Sequence, residues 1–456
     1  MSATLFRTWT DTAELRPARR WVDWIFAGLL IVASLLVTVV HVPGHAMVSP
    51  IDEYVYIDYL AKVPTQLVVR QGEETGEYAR KTLMCNGVRT LGVYPESRCE
   101  TALHDEDASF PMGGTNSADI YTPIYFAATW LLAQPLQWFG VDLTDAGRST
   151  GFVWLALAAV MLYLTLRRLK VRPALAFGLP LLVVASLPAY WSNTYISTDA
   201  TALLAGSLMA FLGVHADGRG RGAVWLLPVA ASILTLMKLQ NFGAVVVVVL
   251  FLMIRAAWDA VAPRELPIRI RLVSWLRDTR TLVGILALAV PLLLQVLWLL
   301  IRSRLAVGKG GDQGTAIPFG ATELLEEMFK FFVGPANGAL DPSVFGVLGI
   351  ILAAVVAWVG VGGVLGVIAA SPERSLGEAL GVSVFFVALM IGPALSVATI
   401  ISTGYYFYLP SRYGISLIPI FFVCAALVAD RKSWVAYGLM AVGVVGFAAS
   451  SLIPRG

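Results

Sequence analysis

The chain alternates long apolar stretches with short polar ones. The stretches are Trp24–Val42, Ser149–Leu166, Ala174–Tyr190, Ala200–Val214, Ala223–Leu236, Phe242–Ile254, Leu282–Ile301, Val344–Ala369, Ala379–Ile401, Tyr413–Ala429 and Trp434–Leu452. Most approach the roughly 17–25 residues that a helix needs to cross a bilayer. They are continuous rather than alternating, which argues against a β-barrel. The pattern predicts an all-α polytopic membrane protein of about 11 transmembrane helices. Ala223–Leu236 is short for a full crossing.

The polar intervals divide the chain. Residues 1–23 form a basic tail, 24–42 the first span, and 43–148 a long first loop. Residues 149–301 hold spans two to seven, 302–343 a second loop, and 344–456 the last four spans. Within the first loop, Gly113-Gly114-Thr115-Asn116 signals turns. From Tyr121-Thr122-Pro123-Ile124-Tyr125-Phe126 the chain runs apolar to Gly140. That run is long enough to span, but counting it would place Arg167, Arg168 and Lys170 outside, against the positive-inside rule. Its Tyr/Trp content and Pro135 suit an interfacial helix. In the second loop, Leu324, Leu325, Met328, Phe329 and Phe332 recur at helical spacing, with Glu323, Glu326, Glu327 and Lys330 between them. Thr322–Val333 therefore reads as an amphipathic helix lying flat on the outer leaflet.

Composition sharpens this picture. Of 456 residues, 57% are hydrophobic and 14% charged, against about 25% charged in an ordinary soluble domain. The net charge of +3 says less than its distribution. With the N-terminus inside, cytoplasmic segments receive most Lys and Arg, including Arg255, Arg264, Arg269, Arg271, Arg277 and Arg280. Arg16, Arg19 and Arg20 before the first span also suit a signal peptide, but Pro43 and His45 make a poor cleavage site, so an uncleaved helix is expected. Cys85 and Cys99 lie in the first loop, and outside the cytoplasm they can form a disulfide. Cys424 sits in an apolar run and reads as packing. Nothing resembles a soluble nucleotide site or a nucleic-acid-binding patch, so an activated substrate is expected to arrive on a lipid.

The candidate chemistry gathers at span ends on the outer side. Asp52 and Glu53 follow the first span, where a carboxylate can act as a general base toward an acceptor hydroxyl. Ser49-Pro50-Ile51-Asp52 equally fits a helix start, with Ser as cap and Asp52 as a capping acid. Arg412, in Leu409-Pro410-Ser411-Arg412-Tyr413-Gly414, can hold a phosphate bidentately or snorkel beside Tyr405, Tyr406, Phe407 and Tyr408. Lys238 can be a point charge for a lipid phosphate or a hairpin tip facing water, with Gln240 and Asn241 beside it. Asp199 and Asp119 read as helix-start acids, and with Tyr121 are further candidate contacts for acceptor or donor. Asp105-Glu106-Asp107 reads as a solvated patch and His104 as structural.

Four of these features resemble the GT-C superfamily of polytopic glycosyltransferases. They are the acidic pair Asp52-Glu53 after the first span, Thr122–Phe126 leading through Phe139-Gly140 to Arg148, Thr235–Lys238 ending a short span, and Arg412-Tyr413 opening a late span with Pro419 following. Within it, the chain is similar to a group of bacterial membrane proteins with a Pro-Asp-Glu-like start, from which Ile51 departs. The resemblance implies a GT-C-like fold and a polyprenyl-phosphate-linked sugar donor. It implies an extracytoplasmic acceptor (glycan, lipid or protein) and a site on the outer face of a bacterial plasma membrane. Asp52, or in second place Glu53, would be the base. Arg412, Lys238 and Tyr413 would hold the donor phosphate. Some such enzymes need no cofactor and others hold a divalent cation at the acidic pair, so metal stays open. The competing classes are a transporter or lipid flippase, which would place its charges near mid-membrane, and a non-catalytic envelope-assembly protein.

Overall fold

With almost no water to satisfy backbone groups inside a bilayer, each apolar stretch closes its hydrogen bonds internally as a helix. The structure, a computed structural model, describes residues 20–88, 99, 107–218, 223–261, 267–310 and 316–453. Most of the basic tail, together with His104, Asp105 and Glu106, lies outside the described residues.

In chain order the helices are α1 (Arg20–His41), α2 (Glu53–Gln66), α3 (Glu77–Asn86), α4 (Pro123–Trp138), α5 (Leu143–Ser149) and α6 (Gly151–Arg168). Next come α7 (Pro173–Val184), α8 (Leu187–Thr194), α9 (Ala202–Asp217), α10 (Leu226–Met237), α11 (Phe242–Val261) and α12 (Ile268–Arg277). The last are α13 (Thr279–Leu305), α14 (Ala321–Val333), α15 (Gly346–Ala370), α16 (Leu376–Thr403), α17 (Ile418–Ala429) and α18 (Ser433–Ser450). Among the described residues there is no β-strand, only isolated bridges such as Glu74 with Thr115. The protein is an all-α polytopic membrane protein, with 9 described helical stretches long and apolar enough to span, and a tenth if a bent pair is one span.

That bent pair is the expected span Ala174–Tyr190. It breaks into α7 and α8, inclined by 57°. The cause is local. Ser186 adopts extended backbone, its hydroxyl accepts the Ala189 amide, and Pro188 follows in the first turn, so a new helix starts there. The short stretch expected at Ala223–Leu236 becomes α10, of 12 residues.

Helices cross closely where side chains are absent. A Cβ on Gly443 of α18 would meet the Gly178 carbonyl oxygen of α7 at 2.2 Å, and one on Gly363 of α15 would meet the Ala425 backbone of α17 at 2.5 Å. Such small-residue crossings replace the hydrophobic drive that lipid cannot supply between helices. The outward faces stay apolar, with Trp24, Leu293, Val347 and Val445 among many exposed side chains.

The first loop is tied to α2 by a buried carboxylate that the sequence did not flag. Asp58 accepts the Gly76 amide at 2.6 Å and the Asn116 side-chain amide at 2.7 Å, and pairs with Lys62 at 2.8 Å. Cys85, in α3, is bonded to Cys99 with a Cα separation of 4.8 Å, as expected.

The amphipathic helix expected at Thr322–Val333 is α14. Leu324, Leu325 and Phe329 are exposed, as a lipid-facing surface would be. Its other face differs from the expectation of a solvated acidic side: Glu327 and Phe331 are buried, and α14 packs on α16. At that crossing a Cβ on Gly392 would meet the Glu327 carbonyl oxygen at 2.1 Å.

Candidate functional site

The turn after α1 separates the two acids of the pair. Helix α2 starts at Glu53, not at Ser49, so the expected Ser49 cap with Asp52 inside the helix is not what forms. Asp52 is instead the residue before the helix, in left-handed backbone with φ 58°. Asp tolerates that conformation better than most residues, through its short polar side chain. Residue 53 then points inward and residue 52 outward.

Glu53 is fully buried and fully engaged. Arg148 donates to it twice, Nε to Oε1 at 2.8 Å and Nη2 to Oε2 at 2.9 Å. The Ser49 amide donates to Oε2 at 2.7 Å and the Ile196 amide to Oε1 at 3.0 Å. Arg148, equally buried, donates also to the His45 and Met47 carbonyls at 2.7 and 3.0 Å. The pair thus pins the first-loop turn to α5 and to the segment entering α9.

Asp52 keeps 40% of its side chain exposed. Its Oδ2 accepts from Arg412 Nη2 at 2.7 Å, across a sequence separation of 360 residues. Behind this pair lies a second one. Asp199, nearly buried, stands 3.5 Å from Arg412 Nε and pairs closely with Lys238, whose side chain is 1% exposed. Four charges therefore form one row, Asp52, Arg412, Asp199, Lys238. Tyr413 faces both cations, its ring centre 5.8 Å from the Arg412 guanidinium carbon and 5.7 Å from Lys238 Nζ.

The exposed end of the row opens on a cleft of about 370 Å³. Asp52, Tyr56 and Tyr121 line it on one side, and Phe407, Tyr408, Arg412 and Tyr413 on another. Tyr56 donates to the Tyr121 hydroxyl at 3.2 Å. Burial pushes both phenols well above their ordinary range, so they remain protonated.

The other expected site residues fall elsewhere. Lys238 is not a water-facing hairpin tip; with Asp199 it stands behind Arg412 rather than in the cleft wall. Asp119 pairs with Arg302, whose Nε is 2.6 Å from its Oδ2, while burial raises its carboxyl above the usual range. Asn241 is buried and donates to Thr201 Oγ1 and the Leu234 carbonyl, both at 2.9 Å, joining α9 to α10. Gln240 is half-buried beside it, and neither lines the cleft.

No family model matches the chain. No curated protein matches it either. Among solved structures, the cryo-EM structure of the arabinofuranosyltransferase AftD from Mycobacteria is similar at 16% identity and a TM-score of 0.42, over 96% of this chain. The chain spans only 27% of that much longer protein.

Several participants carried no sequence signal strong enough to place them. Tyr56 lies four residues after Asp52 and lines the same cleft, a proximity that could have suggested it. Glu327 looked like one of several surface acids on α14. In the structure it accepts from Lys330, from the Tyr406 hydroxyl at 2.7 Å and from the Leu409 amide at 3.2 Å. It thereby fixes the segment that presents Phe407, Tyr408 and Arg412 to the cleft. Among the described residues no group of three or more His, Cys, Asp or Glu is arranged to hold a metal ion.

Proposed function

We propose that the protein is a GT-C-type glycosyltransferase that moves a sugar from a polyprenyl-phosphate donor to an acceptor hydroxyl, on a cell-envelope glycan, lipid or protein. The observation that carries this is the meeting of Asp52 and Arg412 at the mouth of a cleft walled by aromatic side chains. The two motif residues are 360 positions apart, yet they form one acid–cation pair beside space for a sugar. The Cys85–Cys99 bond supports a first loop outside the cytoplasm. With the Lys/Arg distribution, it supports an outward-facing site in a bacterial plasma membrane, with the N-terminus inside.

On this reading the donor phosphate lies on Arg412, whose charge is backed by Lys238 one carboxylate further in. Asp52 takes the proton of the acceptor hydroxyl as the oxygen bonds to the anomeric carbon. The bond from that carbon to the phosphate oxygen breaks, and the lipid phosphate leaves with the electron pair. Arg412 stabilises the charge that develops there. Tyr56 and Tyr121, held protonated, offer hydroxyls to the sugar. Glu53 has no catalytic part, because Arg148 and two backbone amides occupy both its oxygens. For the same reason the acidic pair does not fit a divalent cation: one of its two carboxylates is already taken.

The test is binding and transfer with a panel of polyprenyl-phosphate sugars on purified protein. Saturable binding of one donor, weakened by Arg412→Ala, supports the proposal. Transfer abolished by Asp52→Asn in protein of normal stability supports the base. Absence of binding by any donor, or wild-type transfer from Asp52→Asn, would sink it.

A further inference from the structure

Arg412 has two carboxylate partners of different character. Asp199 is nearly buried, is held by Lys238, and its amide is bonded to Ser197 Oγ at 3.2 Å. Asp52 is the exposed one, on a turn in left-handed backbone at the cleft mouth. Its contact with Arg412 uses Oδ2 alone. Arg412 Nε, although buried, makes no hydrogen bond among the described residues. The guanidinium thus has a fixed anion behind it, 3.5 Å from Nε, and an exchangeable anion in front.

The row as it stands is neutral, two carboxylates against two cations. A phosphate entering the cleft meets no spare positive charge unless one carboxylate yields. Asp199 cannot yield without leaving Lys238 buried and unpaired, which is costly. Asp52 can yield to water at little cost.

We propose that a phosphate anion entering the cleft displaces Asp52 from Arg412, so that binding of the lipid-linked phosphate is what releases the base. This rests on the function proposed above and adds an order to it. Without donor, Asp52 is occupied by Arg412 and does not accept a hydroxyl proton. With donor, Arg412 turns to phosphate and Asp52 faces the acceptor.

The exchange makes an unusual demand on Asp52→Asn. Loss of a catalytic base should leave donor affinity unchanged, whereas loss of a competitor should raise it. Binding of a polyprenyl monophosphate in nanodiscs should tighten about tenfold in Asp52→Asn, equivalent to ~1.4 kcal/mol. Asn accepts left-handed backbone as Asp does, so the turn is preserved. Cryo-EM of the wild-type chain with the same lipid should show Arg412 on the phosphate and Asp52 withdrawn. Unchanged or weaker binding by Asp52→Asn would overturn the exchange, as would a phosphate-bound structure that keeps the Asp52–Arg412 contact. If the wild type binds lipid phosphate in an Arg412-dependent way, either result removes the exchange alone. If the wild type binds none, the proposed function falls with it.

Discussion

Arg148→Met tests whether Glu53 is held as a structural acid, unlike the partly exposed Asp52. The guanidinium makes two bonds to Glu53 and two to backbone carbonyls, and both side chains of the pair are almost wholly buried. Met fills most of the volume but supplies no donor. Glu53 would keep two amide donors and lose its counter-charge inside the protein. Breaking a buried pair from one side typically costs about 3–5 kcal/mol. Removing the other partner as well should return part of that loss, because no uncompensated charge remains. In a thermal-unfolding series in one detergent, Arg148→Met should be the least stable variant. The double variant Glu53→Gln/Arg148→Met should lie above it, with a coupling of about 1–3 kcal/mol. Asp52→Asn should cost less than Arg148→Met, because Asp52 is 40% exposed and its partner Arg412 keeps Asp199 beside it. Wild-type stability in Arg148→Met would refute the assignment of Glu53 to structure. So would a double variant no better than the single one.

Non-reducing peptide mapping should find Cys85 linked to Cys99, and Cys85→Ser/Cys99→Ser should lower stability by about 3 kcal/mol for a loop of this length; free thiols at both positions would contradict the bond. Glu327→Ala removes the acceptor of the Tyr406 hydroxyl and the Leu409 amide. It should cost about 1.5–3 kcal/mol and make the 405–410 segment a site of limited proteolysis, and an unchanged digestion pattern would refute its anchoring role. Gly443→Leu places a large side chain against the Gly178 carbonyl and should prevent normal α7–α18 packing, read as loss of monodisperse protein in detergent.

The spans were legible because lipid imposes one rule, a continuous apolar run of sufficient length. What that rule cannot see is a break made by polar capping inside such a run. Ser186 and Pro188 divide one expected span into two helices. The acidic turn was legible as a location, with Asp52 ranked before Glu53, but what holds Glu53 was not. Asp52 takes left-handed backbone, and the partner that holds its neighbour Glu53 is Arg148, 95 residues away, which no local pattern reveals. Lys238 and Arg412 were each recognised as cations. Their mutual arrangement through Asp199 was hidden because it joins three separate helix ends. Glu327 was hidden for a simpler reason: helical spacing assigns a face, but only packing says which neighbour covers it.

The separation of 360 residues between Asp52 and Arg412 also sets a timetable for the cell. At ordinary synthesis rates the acid leaves the ribosome roughly 20–70 s before its partner. Only in the later half of that interval, once Lys238 has been made, can Asp199 and Lys238 neutralise one another, and Asp52 still has no Arg412 to meet. A nascent chain interrupted just before Arg412 would carry seven of the nine described spans and no Asp52–Arg412 pair. Most spans are therefore made well before the Asp52–Arg412 pair can form, and a check on insertion alone would not detect its absence.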